Sequence, residues 1–94
     1  MSSAPITTYA VRDWLTELIA SYVELPAEEI DPDTGIVEYG IDSMYKMEMA
    51  LAIEEQYGVT VDPSSLRDAP TINGIAVNVT ALASGETKNQ LIQP

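Results

Sequence analysis

The chain contains no cysteine and no histidine, and only four of its 94 residues are basic. Without cysteine there is no disulfide and no thiolate metal site, a composition in keeping with a reducing cytosol and a cytoplasmic localisation. Without histidine, the usual general base for a serine nucleophile is missing. Four basic residues against fifteen acidic ones give a net charge of −11. Binding to a phosphate backbone needs the opposite sign, so nucleic acid is not expected as a partner. Anionic membrane surfaces are disfavoured for the same reason. No apolar run has membrane-spanning length. Met1 to Pro5 is short, uncharged and not followed by an unbroken apolar region, so no signal peptide is expected.

What is present is a chain that is 46% hydrophobic, enough for one globular domain with a single modest core. The expected organisation is a flexible N-terminus over residues 1–6, a folded domain over 7–84, and a polar flexible tail or linker over 85–94. An acidic surface of this strength keeps a small monomer soluble, and it equally steers encounter with basic patches on partners.

Hydrophobic periodicity predicts an all-α fold: a small bundle of three longer helices and one short one, with a long ordered loop after the first. The first helix is expected from Thr7 or Thr8 to Glu24. Val11, Leu15, Leu18 and Tyr22 recur at helical spacing, Trp14 and Ile19 widen that face, and Pro26 marks the end. Residues 25–41 form a connection too long to be idle in a compact domain. Ile30, Ile36 and Ile41 are spaced to pin it down, and Gly35 and Gly40 to let it turn.

The second helix is expected from Asp42 or Ser43 to Tyr57, with Gly58 at its end. Met44, Met47, Met49, Ala50, Leu51, Ile53 and Tyr57 cover more than half its circumference, which predicts a helix wedged between neighbours. Tyr45, Glu48, Ala52, Glu55 and Gln56 form its polar stripe. Val59 to Val61 reads as an extended connector, and Asp62-Pro63 as the start of a short helix through Arg67. Thr71 caps a last helix with Ile72, Ile75, Ala76, Val79 and Leu82 facing the core.

Several chemistries fail on their residues. Lys46 is close enough to Ser43 to suggest a Ser–Lys pair, but a solvated helix lysine is protonated and a poor base. Asp31-Pro32-Asp33-Thr34-Gly35 begins like a calcium loop. Its fifth position is then Gly35, its sixth Ile36 and its twelfth Asp42, wrong for ligand, turn and bidentate acid in turn. Glu28-Glu29 and Glu54-Glu55 have no apolar pocket to separate their roles and read as solvated faces. Asn78-Val79-Thr80 fits a glycosylation sequon, which means nothing without export. Among the methionines, Met47 and Met49 are expected inside, with Met44 as the ambiguous one.

Ser43 remains. Asp42 is the natural N-cap, which leaves the Ser43 hydroxyl free to point outward at a helix start, where free amides and the macrodipole favour an anion. A serine so placed, on a chain with no base of its own, suits modification by another protein's active site.

These residues carry a resemblance. Gly40-Ile41-Asp42-Ser43-Met44 is similar to the Gly-x-Asp-Ser-Leu motif of the acyl carrier proteins of fatty-acid and polyketide synthesis. The register continues through Glu48-Met49 and Ile53-Glu54-Glu55-Gln56-Tyr57-Gly58-Val59, and Pro70-Thr71-Ile72 resembles the family's approach to its final helix. The similarity extends from about Val11 to Leu82.

The resemblance implies that Ser43 receives 4′-phosphopantetheine from coenzyme A through a separate magnesium-dependent phosphopantetheinyl transferase. The arm's thiol then holds acyl intermediates as thioesters for a ketosynthase, acyltransferase or other pathway enzyme. It implies that Asp42 caps the helix and helps the transferase recognise the site, and that Met44, Tyr45 and Glu48 face partners. Tyr45 and Lys46 stand where carriers of dissociated fatty-acid synthesis tend to have acids, and Tyr39-Gly40-Ile41-Asp42-Ser43 looks like carriers of modular polyketide synthases. A polyketide-type, non-catalytic carrier is therefore expected. A peptidyl carrier, a noncovalent acidic adaptor and a calcium module are the alternatives.

Overall fold

Thr7 starts the first helix: its hydroxyl oxygen accepts from the Ala10 N–H at 3.1 Å, satisfying one of the amides that a helix start leaves open. The computed structural model describes residues 6–61, 66 and 70–84, and in it this helix, α1, spans Thr8–Val23. Val11, Leu15, Ile19 and Ala20 are its buried residues, so Ile19 lies at the centre of the apolar face rather than at its margin. Leu18, Tyr22 and Trp14 are partly buried against the core. α1 ends with Glu24 in the left-handed region (φ 61°), a conformation more usual for glycine. Pro26 comes two residues later.

The connection is held by its isoleucines as expected: Ile30, Ile36 and Ile41 are all buried. It contains two short 3-10 turns, Ala27–Glu29 and Ile36–Tyr39. Only one of its glycines uses a positive φ: Gly40 sits at 87°, while Gly35 sits at −57° and is not needed for that reason.

Helix α2 spans Ser43–Tyr57 and closes on Gly58 at φ 70°. Met49, Ala50 and Ile53 are buried, whereas Met44, Met47 and Leu51 are exposed. This corrects two expectations: α2 is not wedged between neighbours, and Met47 does not pack inside. Tyr45 and Ala52, assigned to the polar stripe, are half-buried, and so is Lys46. The core lies to one side of α2, and the wide apolar arc had concealed which side.

Val59–Val61 is an unpaired connector with Val61 buried. The expected short helix falls on residues mostly outside those described; Leu66, which is described, is buried. Helix α3 spans Ile72–Ser84, and the Thr71 hydroxyl accepts from the Gly74 N–H at 3.0 Å at its start. Ile72, Ile75, Ala76 and Val79 are buried, with Leu82 at the margin. α3 packs most extensively on α1. Trp14 meets Tyr57 edge to face at 5.4 Å, tying α1 to the end of α2.

The described residues thus form a bundle of three helices with no strand, and none is long and apolar enough to cross a membrane.

Candidate functional site

Two anchors bring the connection to a defined end at Ser43. Gly40 turns the chain, its N–H donating to the Val37 carbonyl at 3.0 Å, and Ile41 then buries its side chain in the core. Asp42 is next, as N-cap: its Oδ1 accepts from the Tyr45 N–H at 3.1 Å, and its carbonyl accepts from the Lys46 N–H at 2.9 Å. Ser43 is the first residue of α2 and is exposed. Its hydroxyl makes no hydrogen bond among the described residues, because Asp42 has taken the cap.

The connection is clipped to the start of α3. Gly35 bridges Thr71, the Ile36 N–H donates to the Pro70 carbonyl at 2.9 Å, and the Asn73 N–H donates to the Pro32 carbonyl at 3.0 Å. The Asn73 side-chain amide reaches the Asp33 carboxylate, and Asp33 in turn donates its N–H to Asp31 Oδ1 at 2.9 Å. In the acidic stretch that begins like a calcium loop, one carboxylate oxygen each of Asp31 and Asp33 accepts one of these bonds. No group of three or more acidic residues among those described is arranged to hold a metal ion.

Tyr45 leans back onto α1. Its ring stacks on Tyr22 at 4.9 Å between centroids, and its hydroxyl approaches the Tyr22 carbonyl at 3.5 Å. Burial, helped by the nearby charge of Glu48 and by Tyr45, raises the Tyr22 pKa above its ordinary value. Burial also raises that of Tyr57. Met44 and Glu48 are exposed on the same end of α2. Arg12–Asp13, on the surface at 3.1 Å, is the one ion pair among the described residues. The carboxylates along α2 are left without a cationic partner there. The contacts missed by sequence reasoning are the Asp33–Asn73 clip and the Tyr22–Tyr45 stack, which join residues far apart in the chain. The exposed Met47 and Leu51 were missed too, although their spacing from Met44 already carried the signal.

Residues 13–79, more than half of the chain, match the profile of the family described as the phosphopantetheine attachment site. The chain belongs to that family. It is a carrier protein domain of the phosphopantetheine-binding type, related to the carrier domains of polyketide synthases. It is 36% identical over 72 residues to polyketide synthase PksL of Bacillus subtilis, covering 77% of this chain but 2% of that much larger protein. It is 30% identical over 76 residues to acyl carrier protein TtuC of Teredinibacter turnerae, covering 81% of this chain and 87% of the relative. Among solved structures, a free-standing peptidyl carrier protein from an uncharacterised Acinetobacter baumannii secondary metabolic pathway superposes with a TM-score of 0.73. That pair shares 27% identity, with 79% of this chain and 92% of the other covered. An HMG-ACPI domain from the CurA module of Lyngbya majuscula superposes with a TM-score of 0.76 at 21% identity, covering 92% of this chain and 88% of that one, a likeness of fold.

The residues present fit the group that the family attaches. Ser43 offers an exposed primary hydroxyl, and the start of α2 suits the negative charge of a phosphodiester. The Asp42 carboxylate beside it is occupied with the Tyr45 amide.

Proposed function

We propose that Ser43 is the attachment residue for 4′-phosphopantetheine and that the chain carries acyl or polyketide groups between enzymes without catalysing a step itself. The observation that carries this reading is the exposed Ser43 hydroxyl, free of hydrogen bonds among the described residues, at the first position of α2 within the stretch the family profile matches. When attached, the group supplies a flexible reach and a terminal thiol. The chain's own residues supply the anchor. Ile41 fixes the connection, Asp42 fixes the helix start, and Met44, Glu48 and the uncovered part of Tyr45 face partners.

On this reading the partners are a phosphopantetheinyl transferase with coenzyme A, and then the ketosynthase, acyltransferase or similar enzymes of a polyketide-type pathway in the cytoplasm. The protein acts as a monomer. Lys46 takes no part as a base, because the transferase provides the chemistry. Peptidyl carriage is the second reading, favoured by the likeness to the Acinetobacter peptidyl carrier. The aspartate directly before Ser43 supports the acyl reading instead.

Intact mass tests the proposal. Incubation with coenzyme A, magnesium and a broad-specificity phosphopantetheinyl transferase should add one phosphopantetheine to the wild type and none to Ser43→Ala. A folded, unmodified wild type that gains no mass would overturn the carrier reading in favour of a noncovalent adaptor.

A further inference from the structure

Lys46 is the only cation between residues 13 and 66, a stretch that holds most of the chain's carboxylates. Its ammonium nevertheless makes no ion pair and no hydrogen bond among the described residues. Arg12, the other cation described, is engaged with Asp13 and with the Tyr9 ring. Lys46 is the fourth residue of α2 and half-buried, and its N–H donates to the Asp42 carbonyl. Long side chains on a helix lean toward its N-terminus, over the residues three and four positions earlier. For Lys46 those residues are Ser43 and Asp42, whose Cβ atoms stand about 5–6 Å away at this spacing. Asp42 is the nearest acid on the helix, but its Oδ1 caps the Tyr45 N–H and no oxygen of its carboxylate lies within ion-pair reach of the ammonium. A cation in the opening turn also works against the positive end of the helix macrodipole. Nothing in the bare chain favours a charge at this place.

We propose that the Lys46 ammonium is the counter-ion of the phosphodiester on Ser43, and that the pair holds the root of the arm against the first turn of α2. The inference rests on the carrier reading and adds a positioning residue to it. A phosphodiester brings a single negative charge, shared by its unesterified oxygens, to the residue one turn before Lys46. Side chains at i and i+3 on a helix reach each other. The stem of a half-buried lysine packs along the protein while its head stays free to swing to the oxygens. Lys46 supplies charge only and moves no proton. A lysine kept merely for solubility would treat the bare and the loaded chain alike.

Thermal melts of the full chain, bare and loaded with phosphopantetheine, close a thermodynamic cycle with Lys46→Met. That substitution keeps an unbranched stem and the helix propensity and removes the charge. Intact mass confirms one phosphopantetheine on each loaded protein. At about 50 mM NaCl the change in Tm on loading should be about 2–4 °C more favourable in the wild type than in Lys46→Met. The excess should disappear at about 500 mM NaCl, and Lys46→Arg should restore it at low salt. Lys46→Gln takes the place of Lys46→Met should that variant not fold. An equal effect of loading on the wild type and the uncharged variant at low salt would overturn this inference and leave the carrier reading standing. So would an excess that survives high salt or that Lys46→Arg fails to restore, since the stem rather than the charge would then meet the arm. A wild type that gains no mass removes the carrier reading, and this inference with it.

Discussion

The Asn73 side-chain amide donates to the Asp33 carboxylate across 2.6 Å, joining two residues that lie 40 positions apart in the chain. Through this bond the connection that leads to Ser43 is held by the helix that packs most extensively on α1. Replacing Asn73 with Ala should cost about 1 kcal/mol in urea denaturation, the ordinary net worth of one hydrogen bond near the surface. Hydrogen exchange should speed up at the amides of residues 31–36 while the Ser43 mass gain is retained.

Asp42 makes a different prediction, because its carboxylate is a cap rather than a clip. Asp42→Ala should destabilise the protein by about 1 kcal/mol through loss of the bond from the Tyr45 amide, and Asp42→Ser should recover most of it. Thermal melts of the three proteins check this. Transfer to Ser43 in the Ser variant then reports whether the transferase reads the carboxylate itself.

Neighbours on α2 should behave oppositely. Ile53→Ala removes a fully buried side chain and should cost about 2–5 kcal/mol in denaturant unfolding. Leu51→Ala, two residues earlier and exposed, should stay within about 0.5 kcal/mol. Equal losses at the two sites would place the core on a different side of the helix.

The raised pKa values of Tyr22 and Tyr57 make their contribution to stability depend on alkaline pH. Both phenols hold their proton more tightly folded than unfolded, so the folded state binds more protons once the pH reaches the ordinary tyrosine range. The part of the stability that these two phenols contribute should therefore be fully present below pH of about 10 and fall as the pH rises through the folded values. Melting temperatures measured from neutral to alkaline pH should show that decline. Tyr22→Phe, which keeps a ring against Tyr45, should make it shallower.

Much of this architecture was legible in the sequence, because the signals were local. Thr7, Asp42 and Thr71 each cap the start of a helix, Gly58 ends α2, and Ile30, Ile36 and Ile41 anchor the connection. The Gly40 to Met44 register carried the family, and the profile match bears that out. Two kinds of feature were not legible. Side-chain partners such as Asp33 with Asn73, or Tyr22 with Tyr45, are set by tertiary packing and leave no trace in spacing. The orientation of α2 was ambiguous because an apolar arc covering most of a helix fits several placements. Burial of Met49 and Ile53 decides it, and so turns Met47 and Leu51 outward.

Thr71 links the functional end of the molecule to its framework in a second way. Its backbone bridges Gly35, and its hydroxyl accepts from the Gly74 N–H in the first turn of α3. One residue therefore belongs at once to the connection that leads into α2 and to the opening turn of α3. Fraying of that turn would loosen the connection together with it, as one cooperative unit rather than as two independent ends. How steadily Ser43 is held at the start of α2 is then governed partly by a threonine 28 positions further along the chain.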